Sequence, residues 1–131
     1  MSPLLRVEDL RVAYGPRLAV DGATLEIAAG EILALAGESG AGKSALAAAL
    51  LGLVPPPGRL VSGRILFEGR DLAGLPEPAL RPLRGLRIGA AFQDPTAALD
   101  PMASIGAQLV ETLRLRRGLG RAAARARAQA L

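Results

Sequence analysis

Apolar and polar positions alternate with period two at the start of the chain. Between Leu4 and Tyr14, the positions Leu10, Val12 and Tyr14 alternate with Arg11 and Ala13, which predicts a strand. Gly15-Pro16 is a turn signal. Val20 to Ala28 predicts a second strand, with Leu25 and Ile27 set against Thr24, Glu26 and Ala28, and Ala29-Gly30 turns the chain again. Ile32 to Ala36 has a different pattern. It is a short continuous apolar run ending at Gly37, and such a run fits a strand buried on both faces.

The period then lengthens. Leu46, Leu50 and Leu53 recur at helical spacing with alanines between them, predicting a helix from Lys43 to Leu53. Gly52 lies near its end, and Pro55-Pro56-Pro57 forbids continuation. Arg64 to Glu68 predicts a strand closed by Gly69, and the Pro-rich stretch Leu72 to Pro82 leaves room for one helical turn. Leu86 to Phe92 predicts a further strand, running into the loop Gln93-Asp94-Pro95. Ser104 is placed to cap a helix carrying Ile105, Leu109 and Leu113 on one face, with Gly118 and Gly120 ending it. Arg121 to Leu131, rich in Ala and Arg, predicts a last helix.

Composition narrows the chemistry. A length of 131 residues suits one domain, and 50% apolar residues mark a globular chain. There is no cysteine, so no disulfide framework or thiolate metal site, and no histidine, which removes the commonest general base. Neither a signal peptide nor a bilayer-length apolar run is found, so a cytoplasmic location is expected. The formal charge is +4, and Arg114, Arg116, Arg117, Arg121, Arg125 and Arg127 cluster near the end. No aromatic residues interleave with them and no nucleic-acid motif appears, so they read as solvated helix faces, and no nucleic-acid partner is expected. Lys43 is the only lysine among 16 basic residues. An Arg-favouring composition explains that, and so does a need for a compact ammonium where a forked guanidinium would not fit. The two explanations are compatible.

Lys43 belongs to the string Gly37-Glu38-Ser39-Gly40-Ala41-Gly42-Lys43-Ser44, which has the spacing Gly, four residues, Gly, Lys, Ser. This is the phosphate-loop pattern, set between a predicted strand and a predicted helix. Glycines let main-chain N–H groups turn inward around an anion, and the helix start adds partial positive charge there. Lys43 would reach the β- and γ-phosphates of ATP, and the Ser44 hydroxyl would ligate Mg²⁺. A ligand-free Gly-rich turn is the bland alternative. At this chain's own residue frequencies, a chance match is roughly a one-in-a-thousand event.

Three features beyond the loop make the chain resemble the ATP-binding subunits of ABC transporters, particularly oligopeptide and dipeptide importers. Tyr14, in a strand followed by Gly15, matches the aromatic that stacks on adenine in that family. Gln93, in Ala91-Phe92-Gln93-Asp94-Pro95, matches the Q-loop glutamine, which approaches Mg²⁺ and the attacking water. The strings Phe67-Glu68-Gly69-Arg70-Asp71-Leu72, Leu99-Asp100-Pro101 and Ser104-Ile105-Gly106 extend the likeness over essentially the whole chain. Ala41 departs slightly from the pattern, since Ser is frequent there.

The resemblance implies an α/β fold: a partial P-loop NTPase core with an N-terminal antiparallel β subdomain and the start of an α-helical subdomain. It places the β subdomain and P-loop core at 1–95 and the helical start at 96–131. Lys43 and Gln93 are the implied catalytic groups, and Ser44 and Gln93 the implied metal contacts. Tyr14, Gly37, Glu38, Ser39, Gly40, Ala41, Gly42, Lys43 and Ser44 are the implied nucleotide contacts. The implied partners are a second ATP-binding subunit, transmembrane permease subunits and, indirectly, a solute-binding protein, with the chain peripheral on the cytoplasmic membrane face. The chain holds no Leu-Ser-Gly-Gly-Gln signature, no apolar run ending in Asp-Glu and no switch histidine. It is therefore expected to be the N-terminal part of a longer ATPase, inactive alone. Two other readings stay open: a non-catalytic nucleotide-binding remnant, and a soluble ABC protein acting on nucleic acid or ribosomes.

Overall fold

The computed structural model describes residues 2–94, 96 and 98–131, and Pro95 of the predicted Q-loop string lies outside them. Contacts divide the chain into two compact units, 1–81 and 82–131.

The first unit is built on a four-stranded antiparallel sheet. Its strands are β1 (Leu5–Tyr14), β2 (Arg17–Ile27), β3 (Gly58–Phe67) and β4 (Arg70–Asp71), in the order β2-β1-β3-β4. Gly15 and Pro16 close the hairpin between β1 and β2, with Tyr14 opposite Arg17 and Gly15 at φ +59°. The alternation in β1 changes phase part-way. Val7 and Leu10 are both fully buried although three residues apart, because a bulge at Asp9 (φ +45°) slips the register. Gly63 on β3 accommodates that bulge. Its φ is +100°, and a Cβ there would stand 2.5 Å from the Leu10 Cα. No side chain fits that spot. Val7, Leu10, Val12 and Ile65 form the fully buried centre, each contributing about 2 kcal/mol by leaving water.

The helix α1 (Lys43–Leu50) lies against β1 and β2 and buries Leu46 and Ala49. It is one turn shorter than predicted, since Gly52 and the prolines end it early. The strand predicted at Arg64–Glu68 begins earlier, at Gly58, and the Pro-rich stretch holds a single turn, α2 (Glu77–Leu80).

Two predicted strands do not form. Ile32 to Ala36 is irregular and exposed, with Ile32 at 95% of its full exposure. A strand exists only beside a partner backbone, and no described strand runs alongside this segment. Leu86 to Phe92 is also irregular. Its start is folded into a tight turn in which the N–H groups of Arg87 and Ile88 donate to the Leu83 carbonyl, with Gly85 at φ +83°.

In the second unit, α3 (Ile105–Arg117) and α4 (Arg121–Gln129) pack together as a helical hairpin. The Ser104 hydroxyl caps α3 by accepting from the Ala107 N–H at 3.2 Å, and Gly118 ends it in the left-handed conformation. Of the six clustered arginines, Arg116 is half-buried and the other five are exposed, while Ala124 supplies the fully buried contact.

Candidate functional site

The loop 37–42 is fully exposed up to Ala41 and enters α1 through two left-handed glycines, Gly40 (φ +82°) and Gly42 (φ +91°). Gly42 is required twice over. A side chain would be strained at that φ, and a Cβ would stand 2.0 Å from the Ala19 carbonyl oxygen on β2. The end of the loop is thereby seated directly on the β1–β2 hairpin.

This seating brings the loop and Tyr14 to the same end of the sheet. Tyr14 pairs with Arg17, and Ala19 stands two residues further along β2, about 7 Å by strand geometry. Tyr14 is half-buried at the end of β1.

The donors around the loop are arranged for an anion. No side chain caps the first turn of α1, and the first main-chain N–H in the helix to find a partner is that of Leu46, which donates to the Gly42 carbonyl. The preceding N–H groups are the orphan donors of a helix start, where a phosphate binds favourably. The Lys43 side chain folds back over the loop, its Nζ donating to the Gly37 carbonyl at 2.7 Å and the Glu38 carbonyl at 2.6 Å. A Cβ on Gly37 would meet Ala41 Cβ at 3.4 Å and Lys43 Nζ at 4.0 Å, so the loop closes tightly around the ammonium. Ser44 is exposed on the first turn with no hydrogen bond from its hydroxyl among the described residues. One cation, uncapped N–H groups and a free hydroxyl fit a magnesium-bound polyphosphate.

Gln93 lies in the second unit, exposed in an irregular segment, and Asp94 beside it accepts a 2.9 Å bond from the Thr96 N–H. Sequence reasoning missed Gln108, whose side chain bonds the Asp100 N–H at 2.9 Å, the Asp100 carbonyl at 3.0 Å and the Ala103 carbonyl at 3.0 Å. It ties Leu99-Asp100-Pro101 to α3. A polar residue one turn after a cap is too common a signal to have revealed it.

A glycine-rich loop entering a helix, with a lysine folded over it, is the arrangement of the P-loop class of proteins. Residues 20–131 match the family described as ABC transporter, and the chain belongs to that family. It is 44% identical over 131 residues to the peptidoglycan transport ATP-binding protein YejF of Agrobacterium fabrum, covering 96% of this chain and 24% of that protein. It is 41% identical over 133 residues to the oligopeptide transport ATP-binding protein OppD of Bacillus subtilis, covering 98% of this chain and 37% of that one. A solved ATP-binding cassette of an ABC transporter superposes with a TM-score of 0.63 over 95% of this chain and 45% of its own length, at 24% identity. The partial P-loop fold with an antiparallel sheet is thus shown, and the chain spans less than half the length of each of these proteins.

Proposed function

We propose that this chain is the nucleotide-holding part of an ABC transporter ATP-binding subunit that couples ATP binding and hydrolysis to the import of a solute, a peptide by the likeness. The observation that carries the reading is Lys43 folded over the Gly37–Gly42 loop at the uncapped start of α1. The ammonium exchanges two neutral carbonyls for phosphate oxygens, a stronger charge-assisted pairing. The N–H groups of the first turn of α1, which find no partner among the described residues before Leu46, hold the remaining oxygens. Ser44 presents its hydroxyl to Mg²⁺, and a bound magnesium ion neutralises phosphate charge. Tyr14 offers a flat face to adenine. By family likeness Gln93 would supply a neutral amide able to orient water and to ligate the metal, and Gly37, Glu38, Ser39, Gly40, Ala41 and Gly42 would line the phosphates.

In this reading 1–95 forms the β subdomain and P-loop core, and 96–131 begins the helical subdomain. The partners are a second ATP-binding subunit and transmembrane permease subunits, with a solute-binding protein acting indirectly, and the site is the cytoplasmic membrane face. Peptide transport is supported by the name of the Bacillus subtilis relative, an oligopeptide transport ATP-binding protein. Because the Leu-Ser-Gly-Gly-Gln signature and the apolar run ending in Asp-Glu have no match in these residues, the chain by itself is expected to bind ATP weakly and turn it over negligibly. Equilibrium dialysis with ATP and magnesium tests the site. Lys43→Ala should lower affinity about a hundredfold, and Ser44→Ala should remove the magnesium dependence. Unchanged affinity in the lysine variant would sink the reading.

A further inference from the structure

We propose that Gly58 and Val54 are positioning residues for the nucleotide base: together they seat the Tyr14 ring. The inference rests on the reading of Tyr14 as the adenine platform. Tyr14 ends β1 directly opposite Gly58, the first residue of β3. A Cβ on Gly58 would stand 2.5 Å from Tyr14 Cε1, 2.6 Å from Val54 Cγ1 and 2.7 Å from the Pro55 carbonyl oxygen. The ring edge and the valine methyl therefore converge on the space that a side chain at 58 would fill. Gly58 is not in the left-handed region, so it is room rather than backbone freedom that calls for glycine here. Its N–H donates to the Pro55 carbonyl at 2.8 Å, which fixes the seat to the turn after α1. The Tyr14 hydroxyl makes no hydrogen bond among the described residues, so packing alone sets the ring plane. A half-buried ring held along one edge keeps a face for stacking.

The seat acts on the base and not on the phosphates, which gives it a distinctive signature. Tyr14 is the only tyrosine and there is no tryptophan, so intrinsic fluorescence of the chain reports this ring alone. ATP should quench it, while inorganic tripolyphosphate, which competes for the loop, should not. Gly58→Ala should weaken ATP binding about tenfold, the scale of one base–aromatic stack, and leave tripolyphosphate within about twofold. Val54→Ala, which removes bulk instead of adding it, should weaken ATP about threefold with the same indifference to tripolyphosphate. If Gly58→Ala fails to fold, Val54→Ala decides. Parent-like ATP binding in it, or equal loss of both ligands, overturns the inference. If Tyr14→Ala, which lacks the fluorescent ring and is followed by equilibrium dialysis instead, loses ATP selectively while the two seat variants do not, the seat alone is wrong. If Tyr14→Ala binds ATP like the parent, the adenine reading itself has failed.

Discussion

The β1–β2 hairpin and the segment Ile32–Ala36 are both apolar stretches read as strands, yet only the hairpin forms one. In the hairpin each strand brings its own partner across a two-residue loop, and β3 adds to the far edge of β1. The hydrogen bonds are satisfied locally, and alternation marks which face is covered. Ile32–Ala36 carries the continuous pattern of a strand flanked on both sides, and among the described residues nothing flanks it. Apolar pattern states what a segment would bury. The availability of a neighbouring backbone decides whether it becomes a strand.

Substitutions can break this comparison at graded strength. The largest effect is expected from Gly63→Ala, which forces a Cβ to within 2.5 Å of the Leu10 Cα at a positive φ. A loss of about 3 kcal/mol or more in urea denaturation followed by circular dichroism should result. A loss below about 1 kcal/mol would mean that the bulge does not organise the sheet. Next comes Gly42→Ala, with a Cβ at 2.0 Å from the Ala19 carbonyl oxygen. It should cost about 2 kcal/mol in the same measurement and also abolish ATP binding, since the loop is lifted from the hairpin. A variant that keeps ATP affinity would separate loop from sheet.

The second unit tests the contrast from the other side, because its order comes from side-chain caps. Gln108→Ala should destabilise the entry to α3 by about 1–2 kcal/mol, read as faster amide exchange at Asp100 and Met102, with ATP affinity unchanged. The smallest effect is expected at Arg11. Its bonds to Asp9 and Asp21, at 2.5 and 3.0 Å, raise its pKa above the ordinary arginine value. These groups are solvated, so Arg11→Met should change the denaturation midpoint very little, even as salt is raised.

Much of the hairpin, the loop and the helix ends was legible in the sequence. Gly15-Pro16, the Ser104 cap and Gly118 announce themselves through turn and cap chemistry that depends only on near neighbours. The loop spacing also announced itself, because the anion-binding geometry needs glycine at fixed offsets. The phase slip at Asp9 was not legible, since it depends on Gly63 across the sheet. Nor was the seat under Tyr14, since nothing in the local pattern around Gly58 points to Tyr14 across the sheet. Both depend on contacts between residues more than forty positions apart, which local pattern does not encode.

The loop from Gly37 to Ser44 is proposed to hold the phosphates of ATP. Amide hydrogen exchange of the chain, with and without magnesium and ATP, tests it most directly. Protection should appear at Lys43 through Ala45, where the helix start leaves its donors uncapped, and should vanish in Lys43→Ala. Protection confined to other segments, or undiminished by loss of the lysine, would contradict it.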